Sequence, residues 1–576
     1  MRGAAKISKG KADNRFLKRI FFPALLPNIV VVLGEIINIF IEGILVGQKF
    51  GDIGLQAINE ALPVYLILCT IGSLFAAGAS YLSSIRFGKK NSEGAQRVFG
   101  ATLWILFVIS VVLCLAGYFA SPYIAKWISN PETYELVLQN IEIVFIGGVF
   151  KTMLYISFFY LRLEGKNVKL MLSMLLMMIL NVIFGYIFMF VLDLGIRGAA
   201  WASVIGTAAA CIMSFCFLFI GHTNFKFKLA IPTKRDITGI LKFGSSVALD
   251  NVLSAIEILT INMILDATGI TSVLAIFAII NNISEFSMCV QEGVPQTASA
   301  MTGVLRGEKD STSVKKLLKI QLFSGLCLSS ILAILFSTCA TPITALFGSY
   351  TDSTVAIICF SISFVIGTFN NIMAYYYNAI TRTKISNLII VLRVAILIIG
   401  FAAFANLLGE YIWVVYPGAE LLTAIIFISV SFIISRKPGV SHFYLLDESF
   451  EKTGRVTSFS VNCDKKEIVE ASEKISEFCS DNELDSRKTN AVALAIEEIL
   501  TIISEKSLNG KGTIDVRVII SEGKGIVRIR SGGKKYNPFD VVDDGLDYLG
   551  VRMISKLASD IQYLSVLKVN TLIINI

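Results

Sequence analysis

Apolar runs of bilayer length alternate with short polar connections over roughly the first 435 residues of the 576-residue chain. A helix needs roughly 20 apolar residues, at 1.5 Å rise each, to cross a hydrocarbon core. The first such run extends from Phe21 to Gln48. Others follow near residues 61–85, 98–121, 138–161, 168–192, 198–221, 243–266, 272–300, 318–339, 354–380, 386–408 and 412–434. The pattern predicts an all-α polytopic membrane protein of twelve transmembrane helices, with both chain ends on one side.

Alternate connections are basic: Arg86, Lys89, Lys90 and Arg97, then Arg162, Lys166 and Lys169, then Lys226, Lys228, Lys234 and Arg235. The series continues with Arg306, Lys309, Lys315 and Lys316, and then Arg382 and Lys384. Between them stand little more than Lys49, Lys126 and Arg197. By the positive-inside rule the rich loops and both termini are cytoplasmic, in a multi-pass protein of the plasma or inner membrane. This topology accounts for the net charge of +8. No basic block is interleaved with aromatics, so no nucleic-acid partner is expected.

Three landmarks recur at one interval. SIRFGKKNSEGAQRV around Arg86 resembles GVLRGEKDSTSVKKL around Arg306, an offset of 306 − 86 = 220. Pro122 in SPYIAKWIS and Pro342 in TPITALFGS, and Arg162 and Arg382, repeat it. Six spans separate the copies, so the repeat is parallel and predicts two six-helix lobes. The domains expected are a basic cytoplasmic N-terminus (1–20), an N-lobe (21–221), an inter-lobe linker (222–242), a C-lobe (243–435), a second linker (436–455) and a soluble domain (456–576). In that last segment TSFSVNC alternates like a strand, and KKEIVEASEKISEFCSDN has helical periodicity. SRKTNAVALAIEEILTIISEK forms a second helix with Ser486 as N-cap, and a hairpin turns around Glu522–Gly525. An α+β fold is expected.

The composition, 55% hydrophobic and 16% charged, makes each intramembrane charge conspicuous. Glu35 and Glu42 lie seven residues apart in the first run, two turns along one helix face. Each costs roughly 2.5–3.5 kcal/mol at the bilayer centre, so that face should look onto a bundle interior or a wet cavity. A cation or proton site is preferred there over a simple interhelical hydrogen bond. In the second half Asp250, Glu257, Glu285 and Glu292 fall in or near spans seven and eight, and Asp250, Glu257 and Glu292 are C-lobe cavity candidates. Glu257 follows Glu35 by 222 residues (257 − 35), close to the repeat interval. Arg393 and Glu420 are expected to neutralise each other, and Lys151 with Glu142 to form a similar pair. The ten cysteines form no C-x-x-C pair, and no metal site is expected. No phosphate-cradling G-x-x-x-x-G-K-S/T occurs, which argues against a primary ATP-driven pump.

The opening span ending EGILVGQKFG, the following INEALPVYLIL, GASYLSSIRFGKKNSEGAQRV and NVIFGYIFMFVLDLGIRGAAWASVIGT together resemble the multidrug and toxic compound extrusion (MATE) family. The resemblance covers about three quarters of the chain. It implies export of organic, often cationic, compounds against inward flow of H⁺ or Na⁺, with no other cofactor. It also places Glu42, shortly before Val46-Gly47, at the acid many relatives carry on the first helix, and Asn181 at their polar residue on the fifth. The acid usual four residues later is Gly185 here, and Glu35 is inferred to replace the missing charge.

The tail is similar to the ATP-binding domain of anti-sigma-factor serine kinases, of the histidine-kinase ATPase fold. The likeness rests on ALAIEEILTIISEK, IRSGGKKYNPF and LGVRMISKLASDIQY. It implies a degenerate nucleotide site at Glu498, Ile502, Ser531, Gly533 and Gly550. Glu498 matches the family's catalytic base. Ile502 stands where an Asn binds magnesium, and the adenine-reading Asp is replaced at Ser531 or Gly532. ATP binding is therefore doubted, and a cytoplasmic protein partner is expected instead.

The leading reading is a secondary antiporter of small organic cations, its ion coupled at Glu42, Glu35 and Asn181. Two alternatives stand beside it. One is a membrane sensor signalling through the tail; the other is a flippase for lipid-linked precursors, whose cavity should be basic rather than acidic.

Overall fold

The Glu-bearing run opens a 74-residue helix, α1 (Arg15–Gly88), whose only non-helical backbone is at Gly51 (φ 60°, ψ −146°). A residue without Cβ adopts that conformation without strain, so one helix becomes two consecutive ones. The computed structural model describes residues 15–220, 223–268, 271–346, 353–405, 409–436, 441, 443–448, 456–521, 524–541 and 549–576. They divide into two compact units, Ala24–Arg436 and Lys437–Ile576 together with the chain's start to Pro23.

In the larger unit α1 is followed by α2 (Ser92–Ile128), α3 (Tyr134–Leu163), α4 (Asn167–Tyr186) and α5 (Ile196–Phe219). Then come α6 (Lys234–Asp266), α7 (Thr271–Gly307), α8 (Ser311–Thr338), the short α9 (Ala340–Leu346), α10 (Thr354–Ala379), α11 (Thr383–Phe404) and α12 (Val415–Ile434). Ten of the described helices are long and apolar enough to cross a membrane, α1 counted once. The α6 helix starts inside the segment read as a linker. Thr233 accepts from the Asp236 amide, and the Asp236 carboxylate accepts from the Thr233 amide, a reciprocal cap. That same carboxylate gathers Arg86 and Arg97 (Nε–Oδ2 3.2 Å), so these two loop cations stitch one connection to another.

The internal repeat is visible in the backbone. Lys90 (φ 63°) precedes Asn91, whose side chain accepts from the Gly94 amide at 2.7 Å and caps α2. Lys309 (φ 57°) precedes Asp310, which accepts from the Ser313 amide at 3.0 Å and caps α8. The equivalent caps are 310 − 91 = 219 residues apart, one fewer than the Arg86/Arg306 alignment, so Gly88 and Gly307 are the true counterparts. These two glycines meet. A Cβ on either would stand 2.8 Å from the other's Cα. At Gly78 a Cβ would fall 2.9 Å from the Gly244 amide, and Asn251 donates to Ser73 at 3.1 Å. The two lobes are thus pressed together at the end bearing the basic connections.

The smaller unit is a five-stranded antiparallel sheet in the order β1-β2-β3-β5-β4: β1 (Val456–Asn462), β2 (Thr513–Ser521), β3 (Lys524–Ser531), β4 (Asp560–Val566) and β5 (Val569–Asn575). Alternation puts Ile514, Val516, Val518 and Ile520 of β2 on one face, in a core with Ile475 of α13 (Lys465–Asp481) and Ile496 and Ile499 of α14 (Ser486–Ile502). On the other face Arg517 sits opposite Arg528, and Asp515 pairs with Arg530 at 3.3 Å. The α14 N-cap is Asp485 (φ −50°, ψ 135°), with Ser486 the first helical residue. Ser521 pairs with Lys524, while residues 522–523 of the expected turn lie outside the described residues.

Candidate functional site

Three helices of the N-lobe converge on Glu42. Its Oε2 accepts from the Ser203 hydroxyl of α5 at 2.8 Å. Asn181 of α4 donates to Asn38 Oδ1 at 2.6 Å and to Ser203 Oγ at 3.4 Å. Asn38 lies one turn before Glu42 on α1, so a continuous polar chain ties α1, α4 and α5 inside an apolar lobe. Sequence reasoning finds Glu42 and Asn181 but misses Asn38 and Ser203. The i − 4 spacing of Asn38 to the acid was the available signal; a lone Ser in a small-residue helix carries none. The network borders a pocket of about 90 Å³ that Tyr65, Asn140 and Lys151 also line. At Gly185 a Cβ would stand 2.7 Å from Leu45 Cδ1. Gly185 is therefore a point of close approach between α4 and α1.

Glu35 stands outside that network. It lies within electrostatic range of Lys151, Arg162 and Glu292. Arg162, read from sequence as a loop cation, is only 8% exposed. It occupies the last turn of α3, donates to Asn28 Oδ1 at 2.9 Å and lies 5.5 Å from the Phe159 ring. Nor does Lys151 pair with Glu142 among the described residues. Nine residues make two and a half turns, which sends the two side chains to opposite faces of α3. The Lys151 ammonium sits instead 4.7 Å from the Tyr65 ring and 5.6 Å from that of Tyr155.

Between the lobes opens a cavity of about 880 Å³ lined from both sides, by α1 and by α6, α7, α10, α11 and α12. Asp250, Glu257, Glu285 and Glu292 all border it. Glu292 accepts from Gln296 at 2.9 Å. Arg393 also borders it but is committed, donating from Nη2 to Glu420 Oε1 at 2.8 Å and from Nε at 3.0 Å. Asn370 adds a third donor to Glu420 at 2.6 Å. With that pair neutral, the cavity wall carries an excess of carboxylates. It reaches Gln48 and Leu55 on either side of the Gly51 break, at the opposite end of α1's second half from the Gly88 contact.

In the smaller unit Ile502 is 2% exposed in the apolar core, where it can offer nothing to a metal. The Glu498 carboxylate accepts at 2.9 Å from the amide of Val551, in the first turn of α15 (Leu549–Leu557). The first turn of α15, where backbone N–H groups attract anions, thus already holds a side-chain carboxylate. A Cβ at Gly550 would stand 2.8 Å from the Ala495 amide, so α15 lies directly on α14. Past Ser531 the loop turns through Gly533 (φ 104°) and is pinned where Ser507 donates to the Lys534 carbonyl at 2.7 Å.

The MatE family profile matches residues 23–187. The multidrug export protein MepA of Staphylococcus aureus (strain bovine RF122 / ET3-1) is 27% identical over 251 residues, 43% of this chain and 54% of that protein. The chain thus spans about half the length of the curated relatives it matches. A crystal structure of MATE in complex with MaL6 superimposes with a TM-score of 0.68 at 20% identity, covering 73% of this chain and 97% of that one. An outward-facing MATE transporter of the MOP superfamily gives 0.66 at 19% identity, over 73% and 96%. The helical unit has the MATE fold, and with its long apolar helices the chain is a multi-pass membrane protein.

Proposed function

We propose that the chain is a secondary exporter of small organic cations, driven by an inward H⁺ or Na⁺ gradient, and not an enzyme. One observation carries the reading: five carboxylates and one arginine line the inter-lobe cavity among the described residues, and the arginine is paired with one of the five, Glu420. Such a surface attracts a cationic solute and repels an anionic one. The same charge sign disfavours a flippase for lipid diphosphates, which would need free basic groups. The similarity to MepA, a multidrug export protein, points the same way.

Twelve spans follow when the two halves of α1 are counted separately and α7, with its two acids, is added to the other helices. The basic connections then face the cytoplasm. In that orientation the glycine contacts close the inner side and the cavity opens outward, one of the two states that alternating access requires. Glu42, held by Ser203, is the coupling residue, with Asn181 ordering the network and Glu35 as a further charge. Asp250, Glu257 and Glu292 hold the cargo. The smaller unit keeps the shape of an ATPase domain without its chemistry and docks a cytoplasmic protein partner.

The test is efflux of a panel of fluorescent cations from vesicles with pH and Na⁺ gradients imposed separately. Gradient-dependent export of at least one cation is expected, with anionic analogues left behind. Equal transport of cations and anions, or transport indifferent to both gradients, contradicts the reading.

A further inference from the structure

Lys151 is a charged side chain without an evident purpose in the lobe that carries Glu42. It lies 7% exposed in the middle of α3, between the rings of Tyr65 and Tyr155. Aromatic faces attract a cation but do not neutralise it, and a desolvated ammonium needs an anion nearby. Glu35 is the carboxylate that acts on it more strongly, and Glu42, across the pocket they share, interacts with it too. It lines the same pocket of about 90 Å³ as Glu42. The other titratable groups around it are Tyr65 and Cys69 of α1 and Tyr155 of its own helix. From α2 comes Cys114, against Gly148 one turn away, while α4 and α5 contribute the neutral Asn181, Ser203 and Thr207.

We infer that Lys151 is a built-in counter-cation of Glu42, tethered where a coupling sodium ion would otherwise have to sit. The inference rests on the reading of Glu42 as the coupling residue and names its ion. A sodium ion needs several oxygen ligands gathered around it. Asn38, Asn140, Ser203 and Glu42 would furnish a set of them. It would have to enter a space of about 90 Å³ whose wall already bears a fixed positive charge, and like charges at that range repel strongly in a medium of low dielectric constant. A proton needs no such shell. It joins the carboxylate and leaves the ammonium where it is, so the N-lobe exchanges protons and excludes sodium.

The experiment is equilibrium binding of radioactive Na⁺ to the purified full chain in detergent, a readout that requires no transport. Wild type and Lys151→Arg should show no saturable component that Glu42→Gln removes. Lys151→Met should gain one, at least tenfold tighter than any wild-type binding, and lose it again in the Lys151→Met/Glu42→Gln double variant. Glu42-dependent Na⁺ binding by the wild type overturns the inference. So does a monodisperse Lys151→Met protein with no gain; if that variant does not fold, Lys151→Gln takes its place. An exporter reading that failed in vesicles would leave this comparison standing, since an inert protein can still be asked which cation it binds.

Discussion

A guanidinium and a carboxylate inside a bilayer are each expensive alone, and Arg393 and Glu420 share the burden. The pair is seated against Gly367, where a Cβ would stand 2.9 Å from Glu420 Oε1. Removing one partner of a buried pair leaves an uncompensated charge and typically costs roughly 3–5 kcal/mol, whereas replacing both by apolar groups is often nearly neutral. The pair still has contact with the cavity, with side-chain exposures of 19% and 13%, so the lower end applies. Arg393→Met should therefore lower the melting temperature in detergent sharply, and Arg393→Met/Glu420→Leu should recover most of the loss. A double variant as unstable as the single one would show that the two charges do not compensate each other. This pair was legible in sequence because two lone opposite charges in adjacent apolar spans have few other solutions. The Lys151–Glu142 pairing failed on helical phase, which separation along the chain does not reveal without counting turns.

Helices were legible from their length and apolar content, and the repeat from three landmarks. The close approaches between helices were not, since a glycine reads the same in sequence whether it faces its surroundings or another backbone. Gly88 and Gly307 show the difference, for they are where the second half of α1 meets α7 across the lobe boundary. If that contact closes one side of the cavity, a side chain there should hold the lobes apart. Gly88→Val is expected to shift the resting state away from the closed basic end. A cysteine placed at Ser254, on the cavity wall, would then lose labelling by an impermeant maleimide from the outer side and gain it from the inner one. Unchanged sidedness of labelling would mean that the glycine contact is packing without a role in gating.

At the scale of the whole chain, a helical unit with carboxylates on its cavity wall is joined to a separate α+β unit. The alternation of β2 and β3 and the periodicity of α13 and α14 announced that second fold, and Ile502 lies in its apolar core. What no pattern revealed is that Glu498 is turned to cap α15. Residues 456–576, expressed alone, are expected to fold and to show no micromolar affinity for Mg-ATP by calorimetry. On the proposed reading of the tail as an ATPase-like domain, an adenine-reading Asp is missing, and with it a charge-assisted hydrogen bond worth roughly 1.5–3 kcal/mol, about a tenfold to 150-fold loss. Micromolar binding would mean that the phosphate-holding elements lie elsewhere in the domain.

The central claim is that Glu42 couples export to an ion gradient, and one measurement addresses it directly. Wild type and Glu42→Gln are reconstituted in liposomes at equal, verified density, and movement of a fluorescent organic cation is followed after a pH jump. Gln keeps the volume of the side chain and an acceptor for Ser203 but cannot exchange a proton. Wild type should move the cation against its gradient and Glu42→Gln should not, with loss of at least tenfold in rate and normal insertion of the protein. Wild-type rates in the Gln variant would remove Glu42 from the mechanism and contradict the account.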